Sequence, residues 1–303
     1  MTEAEEIRTE HICAAPDVVL LIGEPAEAKL MVSSSTLMGS SRVFTALLGP
    51  NFREGQGINI TTQPKEISLP HDDPETMSDM CYLLHGTHID KFLKAVDTPR
   101  VLRFAITVDK YGCTEALYDR MCTQWILLAN LDAFNSTDMI TNGQQMCAAY
   151  LLDNPRAFYL STEHLVSEFA KPYQELLREE WSCHFPASIL YHLEAKRSAA
   201  QRKIITEFTP DKKKTADYGK CALHFRDAFG WRHWPPNFDE DELACFTAQL
   251  RKMQTIEDYY GWQGGGVGEL SVELDTMCCG ICLVCFKEGK AGPLLKCRDV
   301  AHA

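Results

Sequence analysis

An α+β fold is predicted: a short sheet packed with a cluster of helices, followed by a mainly α-helical C-terminal region. Three observations predict it. Short β-branched runs closed by Gly or Pro mix with short capped helical segments over the first 130 residues, without the strict strand–helix alternation of a parallel sheet. Beyond about residue 136, apolar residues recur mainly with helical spacing. The chain has 303 residues, 45% of them hydrophobic, enough to bury a core in one or two domains.

Residues 1–14 are polar and acidic and read as a disordered lead. Val18–Ile22 follows Asp17 as a continuous apolar run closed by Gly23, the pattern of a buried strand. Glu24-Pro25 makes a turn, and Lys29–Val32 returns as a second strand. Ser33–Ser35 caps a short helix to Met38, and Ser40-Ser41 caps another through Val43, Phe44, Leu47 and Leu48. The stretch 52–62 is Gly- and Asn-rich and reads as a loop, before a strand at Glu66–Leu69. Asp73-Pro74 starts a helix whose Met77, Met80, Cys81 and Leu84 share a face and which stops at Gly86. Thr98-Pro99 starts the next, with Val101, Ala105 and Val108 inward and Gly112 as the stop. Thr114 opens a third, with Leu117, Met121, Trp125 and Leu128 inward. Later helices are expected at about 136–153, 162–178, 187–206, 217–229 and 240–256. The boundaries that result are a lead at 1–14, a first domain at 15–130, a helical region at 131–262, a Gly-rich linker at 263–277 and a Cys-rich tail at 278–303.

The charge balance excludes some functions. Thirty basic residues stand against 42 acidic ones, a net charge of −12. Such a chain repels phosphate backbones, so nucleic acid is not an expected partner. Lys212–Lys214 reads as a solvated loop. The N-terminus lacks the basic and apolar segments of a signal peptide, and no apolar run is long enough to span a bilayer. An intracellular location, cytoplasm or nucleus, is the expectation, with the 13 cysteines as thiols or metal ligands.

The order of these elements resembles the BTB/POZ family over about 115 residues. Asp17-Val-Val-Leu20 is similar to the family's opening strand. Leu30-x-Val32 with Leu37, Ser41, Val43 and Phe44 is similar to the strand leading into two short helices. Ile67-x-Leu69 with Asp72-Asp73-Pro74 is similar to the strand before the central helix. Val101-Leu102, Ala105, Asp109–Tyr111, Leu117, Cys122 and Trp125-Ile126 are similar to the closing helices. The resemblance implies a protein-interaction module, with a homodimer through this domain as one mode. The family's His after the second strand is Ser33 here; in BTB transcription factors that position and the opening-strand Asp help form a charged pocket at the dimer groove, so the resemblance does not imply a corepressor-binding groove for this chain. Phe52-Arg53-Glu54 resembles the apolar-x-Glu element by which ubiquitin-ligase adaptors of the family contact a cullin scaffold. The competing reading is that Phe52 tucks into its own domain. Phe185–Arg197 and Gly280–Cys285 resemble a filamentous-fungal BTB subgroup with a helical second half.

Cys282, Cys285, Cys297 and His302 form a C-x2-C pair followed by a distant Cys/His pair. A C-x2-C turn brings two thiolates to one ion, and the second pair can close a tetrahedron, so structural zinc is the candidate cofactor. Cys278, Cys279, or Cys221 with His224 are alternative ligands. A redox-active pair and plain buried thiols are competing readings.

No catalytic residues are assigned. The chain lacks G-x-S-x-G, H-E-x-x-H and the phosphate-cradling G-x4-G-K-[ST] loop. Gly264–Gly268 reads as a linker, Asp73 of His71-Asp72-Asp73 as a helix cap, His192 as a surface or satisfied interhelical histidine, and Trp231–Pro236 as a packing corner. The function expected is a non-enzymatic adaptor or scaffold acting through the BTB-like region, more narrowly a cullin-type ubiquitin-ligase substrate adaptor. The alternatives are a thiol-based zinc or redox sensor built on the tail, and a transcription regulator.

Overall fold

The computed structural model describes residues 7–58, 63–87, 97–118, 138–169, 171–208, 272–274, 276–292 and 297. The fold is mixed α+β, with a four-stranded sheet and many helices. The chain divides into two units, residues 1–133 with 147–154, and 134–146 with 155–303.

The first unit is built on strands β1 (Arg8–His11), β2 (Val18–Ile22), β3 (Ala28–Val32) and β4 (Lys65–Leu69), in the order β1-β3-β2-β4. β2 and β3 form an antiparallel hairpin with Leu20 opposite Leu30. β4 joins the other side of β2 in parallel, with Leu20 opposite Ile67. Val18, Leu20, Ile22, Ala28, Leu30 and Val32 are fully buried, as the apolar run predicts.

β1 corrects the expected lead. Residues 8–11 are a strand, parallel to β3, rather than disordered. Its residues are polar and mostly exposed because it is an edge strand, held by the β3 backbone and by Ile12, which is buried just beyond it.

Helices α1 (Ser34–Ser40) and α2 (Arg42–Leu47) connect β3 to β4. Ser33 caps α1, and the Ser41 hydroxyl accepts from the amides of Val43 and Phe44 at 3.0 and 3.1 Å. The same hydroxyl donates to the carbonyl of Tyr111. Phe44, fully buried, stacks on the Tyr111 ring at 4.6 Å. Tyr111 in turn donates to Asp72 at 2.7 Å. Burial together with that acceptor pushes the Tyr111 phenol above its ordinary range.

Helix α3 (Pro74–His85) opens on Asp73, whose carboxylate accepts from the Thr76 amide at 2.8 Å, and ends at Gly86 in the left-handed region, φ +68°. Met77, Met80, Cys81 and Leu84 are fully buried. Helix α4 (Thr98–Lys110) is capped by Asp97 and buries Val101, Ala105 and Val108. Asp79 of α3 is buried against Arg100 of α4, which donates to it from Nε at 3.1 Å and Nη2 at 2.6 Å. Helix α5 (Thr114–Tyr118) buries Leu117. Met121, Trp125 and Leu128 lie outside the described residues.

Helix α6 (Met139–Leu151) falls where a helix was expected. The next one differs. The spacing predicts 162–178, whereas α7 runs Pro155–Glu168 and two 3-10 turns follow, Tyr173–Arg178 and Glu180–His184. Pro155 opens α7 without losing a hydrogen bond, and Pro172 cannot sit inside a helix, so the boundary lies before it. Helix α8 (Ser188–Phe208) matches expectation closely. The expected helices at 217–229 and 240–256 lie outside the described residues, as do Lys212–Lys214, Trp231–Pro236 and Gly264–Gly268. Within the expected linker, residues 272–274 and 276–277 are helical. Helix α9 (Leu283–Lys287) lies in the Cys-rich segment. Among the described residues, no helix is long and apolar enough to cross a membrane.

Candidate functional site

Two places hold the candidate residues. The first is the loop after α2. Phe52 is 52% exposed, so it does not tuck into its own domain. The loop that carries it is braced from inside. The Phe52 amide donates to Gly49 O at 3.4 Å, and Phe52 O accepts from Gly55 N at 3.1 Å and Gln56 N at 3.2 Å. A side chain at Gly55 would lie 1.9 Å from Gly49 O, so the two backbone segments touch where only glycine fits. Lys65, at the start of β4, donates to Arg53 O at 2.8 Å and also to Gln56 O. These bonds use main-chain groups and leave the Phe52 ring facing solvent, with Arg53 exposed beside it and Glu54 half-buried. Val43 on α2 is also exposed, at 42%.

The start of the hairpin is closed off. Asp17 accepts from the Ser34 amide at 2.7 Å and from the Ser34 hydroxyl at 2.5 Å. The Ser33 amide donates to His85 Nε2 at 3.0 Å. Asp17 is therefore engaged locally.

The second place is the Cys-rich segment of the other unit. It docks through Ile281, whose amide donates to Thr162 Oγ1 of α7 at 2.8 Å. Gly280 lies so close to α7 that a Cβ there would sit 2.0 Å from the carbonyl oxygen of Tyr159. Phe286 of α9 meets Phe158 at 6.4 Å and the His192 ring edge-on at 5.5 Å. His192 is satisfied, with Ser188 O at 2.7 Å and Ala291 O at 3.2 Å from its two nitrogens.

This docking sets the sulfurs. Cys282 caps α9, its sulfur accepting from the Cys285 amide at 3.5 Å. Cys285 sits one turn on, and Cys297 returns so that its sulfur lies 3.5 Å from that of Cys285. The sulfurs of Cys282, Cys285 and Cys297 all lie within 4.8 Å of one another, a group that can hold a metal ion. Desolvation, with the neighbouring thiols Cys297 and Cys282, pushes the Cys285 thiol up to about 12. None of the ten described cysteines is in a disulfide. His302, the fourth expected ligand, and the alternatives Cys221 and His224 lie outside the described residues.

Cys279 is placed elsewhere. Its sulfur accepts from Lys196 Nζ at 3.4 Å, and both side chains are buried, at 2% exposure for the lysine and 3% for the thiol. The adjacent Arg197 is also buried, donating to Phe169 O at 3.2 Å, Lys171 O at 2.5 Å and Glu194 at 2.5 Å, with its guanidinium 4.4 Å from the centre of the Tyr173 ring. The sequence reading missed this buried basic pair. Its one signal was Ala195 and Ala199-Ala200 flanking Lys196-Arg197, small residues that let a helix face pack closely. Comparison with protein-family models, curated proteins and solved structures finds no match for this chain.

Proposed function

We propose that the chain is a non-enzymatic protein-interaction adaptor whose 15–130 region is a BTB/POZ-type module. Phe52 carries the reading: it is an aromatic ring held outward on a loop whose own backbone is braced. An anchor held this way loses little freedom when a partner covers it, and buried aromatic anchors dominate the energetics of interfaces. Arg53 and Glu54 flank the ring and would fix the orientation of the partner. The family resemblance makes a cullin-type scaffold the partner to test, and self-association of the module a further mode.

The test is calorimetric titration of the full chain with a cullin N-terminal domain. Wild type is expected to bind at micromolar concentration or tighter. Phe52→Ala is expected to weaken binding at least tenfold, matching the roughly 1.5 kcal/mol that burial of the exposed part of a Phe supplies. Its urea midpoint should stay unchanged, because the ring is half out of the fold already. Absence of binding by wild type removes the cullin version. Light scattering of the same sample reads self-association.

The cofactor in this reading is structural zinc at Cys282, Cys285 and Cys297, with His302 as the fourth ligand. Zinc–sulfur bonds of about 2.3 Å in a tetrahedron place sulfurs about 3.8 Å apart. The Cys285–Cys297 separation is 3.5 Å and the others are within 4.8 Å, a range that includes that value. Four protein ligands leave no open position, so the ion would fasten the tail rather than catalyse.

A further inference from the structure

We infer that the three-cysteine cluster is a zinc site released by oxidation, in which metal and a Cys285–Cys297 disulfide exclude each other. The inference rests on the zinc reading above and adds its regulation.

The geometry selects the pair. Cys285 and Cys297 already hold their sulfurs 3.5 Å apart. Closing a bond of about 2.05 Å needs an approach of roughly 1.5 Å. Cys297 stands at the far end of the segment that follows α9, whereas Cys285 is fixed within the helix by its backbone bonds. The Cys282 sulfur is different in kind. It already accepts the Cys285 amide at the helix start, so drawing it into a disulfide would strip that cap. Cys279, another thiol of this segment, is turned to Lys196. Zinc needs all three clustered sulfurs as thiolates, and a disulfide removes two of them from its coordination.

The step balances with a peroxide as oxidant. One thiolate of the pair attacks a peroxide oxygen; the O–O bond breaks, an S–O bond forms, and hydroxide leaves to be protonated to water. The second thiolate then attacks that sulfur; the S–S bond forms, the S–O bond breaks, and the second oxygen leaves, after protonation, as water. Two thiolates are oxidised by two electrons, one hydrogen peroxide is reduced to two waters, and the zinc ion departs with only Cys282 left from the trio. A dithiol reductant with zinc reverses it.

The experiment uses the full chain purified with zinc under reducing conditions. Zinc per chain is measured first by elemental mass spectrometry. The reductant is then removed and hydrogen peroxide is titrated in. Zinc release is followed with a chromophoric chelator, and disulfides are mapped by differential alkylation and peptide mass spectrometry. The expected result is one zinc per chain, released in step with a Cys285–Cys297 disulfide and taken up again on reduction. Cys282→Ser should lose zinc yet still form the disulfide, and Cys297→Ser should lose both. Zinc that stays bound while peroxide oxidises other thiols would overturn the inference and leave the metal reading intact. Release through a Cys282–Cys285 disulfide would do the same. A reduced wild-type chain that binds no zinc would overturn the metal reading and this inference with it.

Discussion

Gly280→Ala tests whether the Cys-rich segment is docked on α7 as closely as described. The new methyl carbon would sit 2.0 Å from the Tyr159 carbonyl oxygen and 2.9 Å from the Tyr159 ring. Carbon and oxygen in ordinary contact lie about 3.3 Å apart, so the segment must retreat by roughly 1.3 Å. The neighbouring bond from Ile281 N to Thr162 Oγ1 is 2.8 Å long and cannot survive that retreat. Overpacking contributes about 1–3 kcal/mol, and a buried amide left without its acceptor about 1–3 kcal/mol more. We take about 3 kcal/mol as the expected destabilisation of the docked segment, or roughly a hundredfold in its opening equilibrium. Amide hydrogen exchange over 278–287 reads that equilibrium locally, which matters because two units need not unfold together. Exchange in that segment within threefold of wild type would refute the close approach. The zinc stoichiometry of the variant is a second readout, since the same docking sets the sulfurs.

Three further outcomes are expected. Gly39→Ala, in α1 with nothing within 4 Å of the added carbon, should raise the stability of the first unit by about 0.5 kcal/mol in urea melts, because alanine loses less backbone freedom than glycine in a helix. Ser41→Ala removes the α2 cap and the donor to Tyr111 O together; about 2 kcal/mol of destabilisation is expected, and a loss under 0.5 kcal/mol would contradict the dual role. Burial holds the Asp79 carboxyl above its ordinary range despite Arg100. Its contribution to stability is therefore full below the unfolded value of about 3.9 and declines as pH rises through the higher folded value. Urea midpoints across that window should fall for wild type relative to Asp79→Asn, and parallel curves would contradict the assignment.

Much of the first unit was legible because its signals are local. Asp73-Pro74, Ser41 and Gly86 mark helix ends by chemistry that acts within a few residues. The β2 run reads as buried because it is apolar at every position, whereas the neighbouring β3 alternates buried and half-buried residues. β1 was not legible, since Arg8-Thr-Glu-His11 buries almost nothing and exists through pairing with a strand 20 residues away. The start of α7 was missed for another reason. Asn154-Pro155 marks where α7 opens, seven residues before the expected start at 162, and Pro172 bars the helix from running on to 178. The C-x2-C spacing and Cys297 pointed to the cluster that the fold assembles. The burial of Lys196 had only the flanking alanines as a sign, because a lysine reads as surface until a helix face turns it inward.

The amide bond that opens α9 has one more consequence. The acceptor of the Cys285 N–H is a sulfur, so any change in electron density on that sulfur is felt by the proton bonded to it. The chemical shift of this single amide is a built-in reporter, readable in a nitrogen-15 spectrum without a probe or a substitution at the cluster. It should move when charge on the Cys282 sulfur is shared with a cation, and move back when the cation is chelated away.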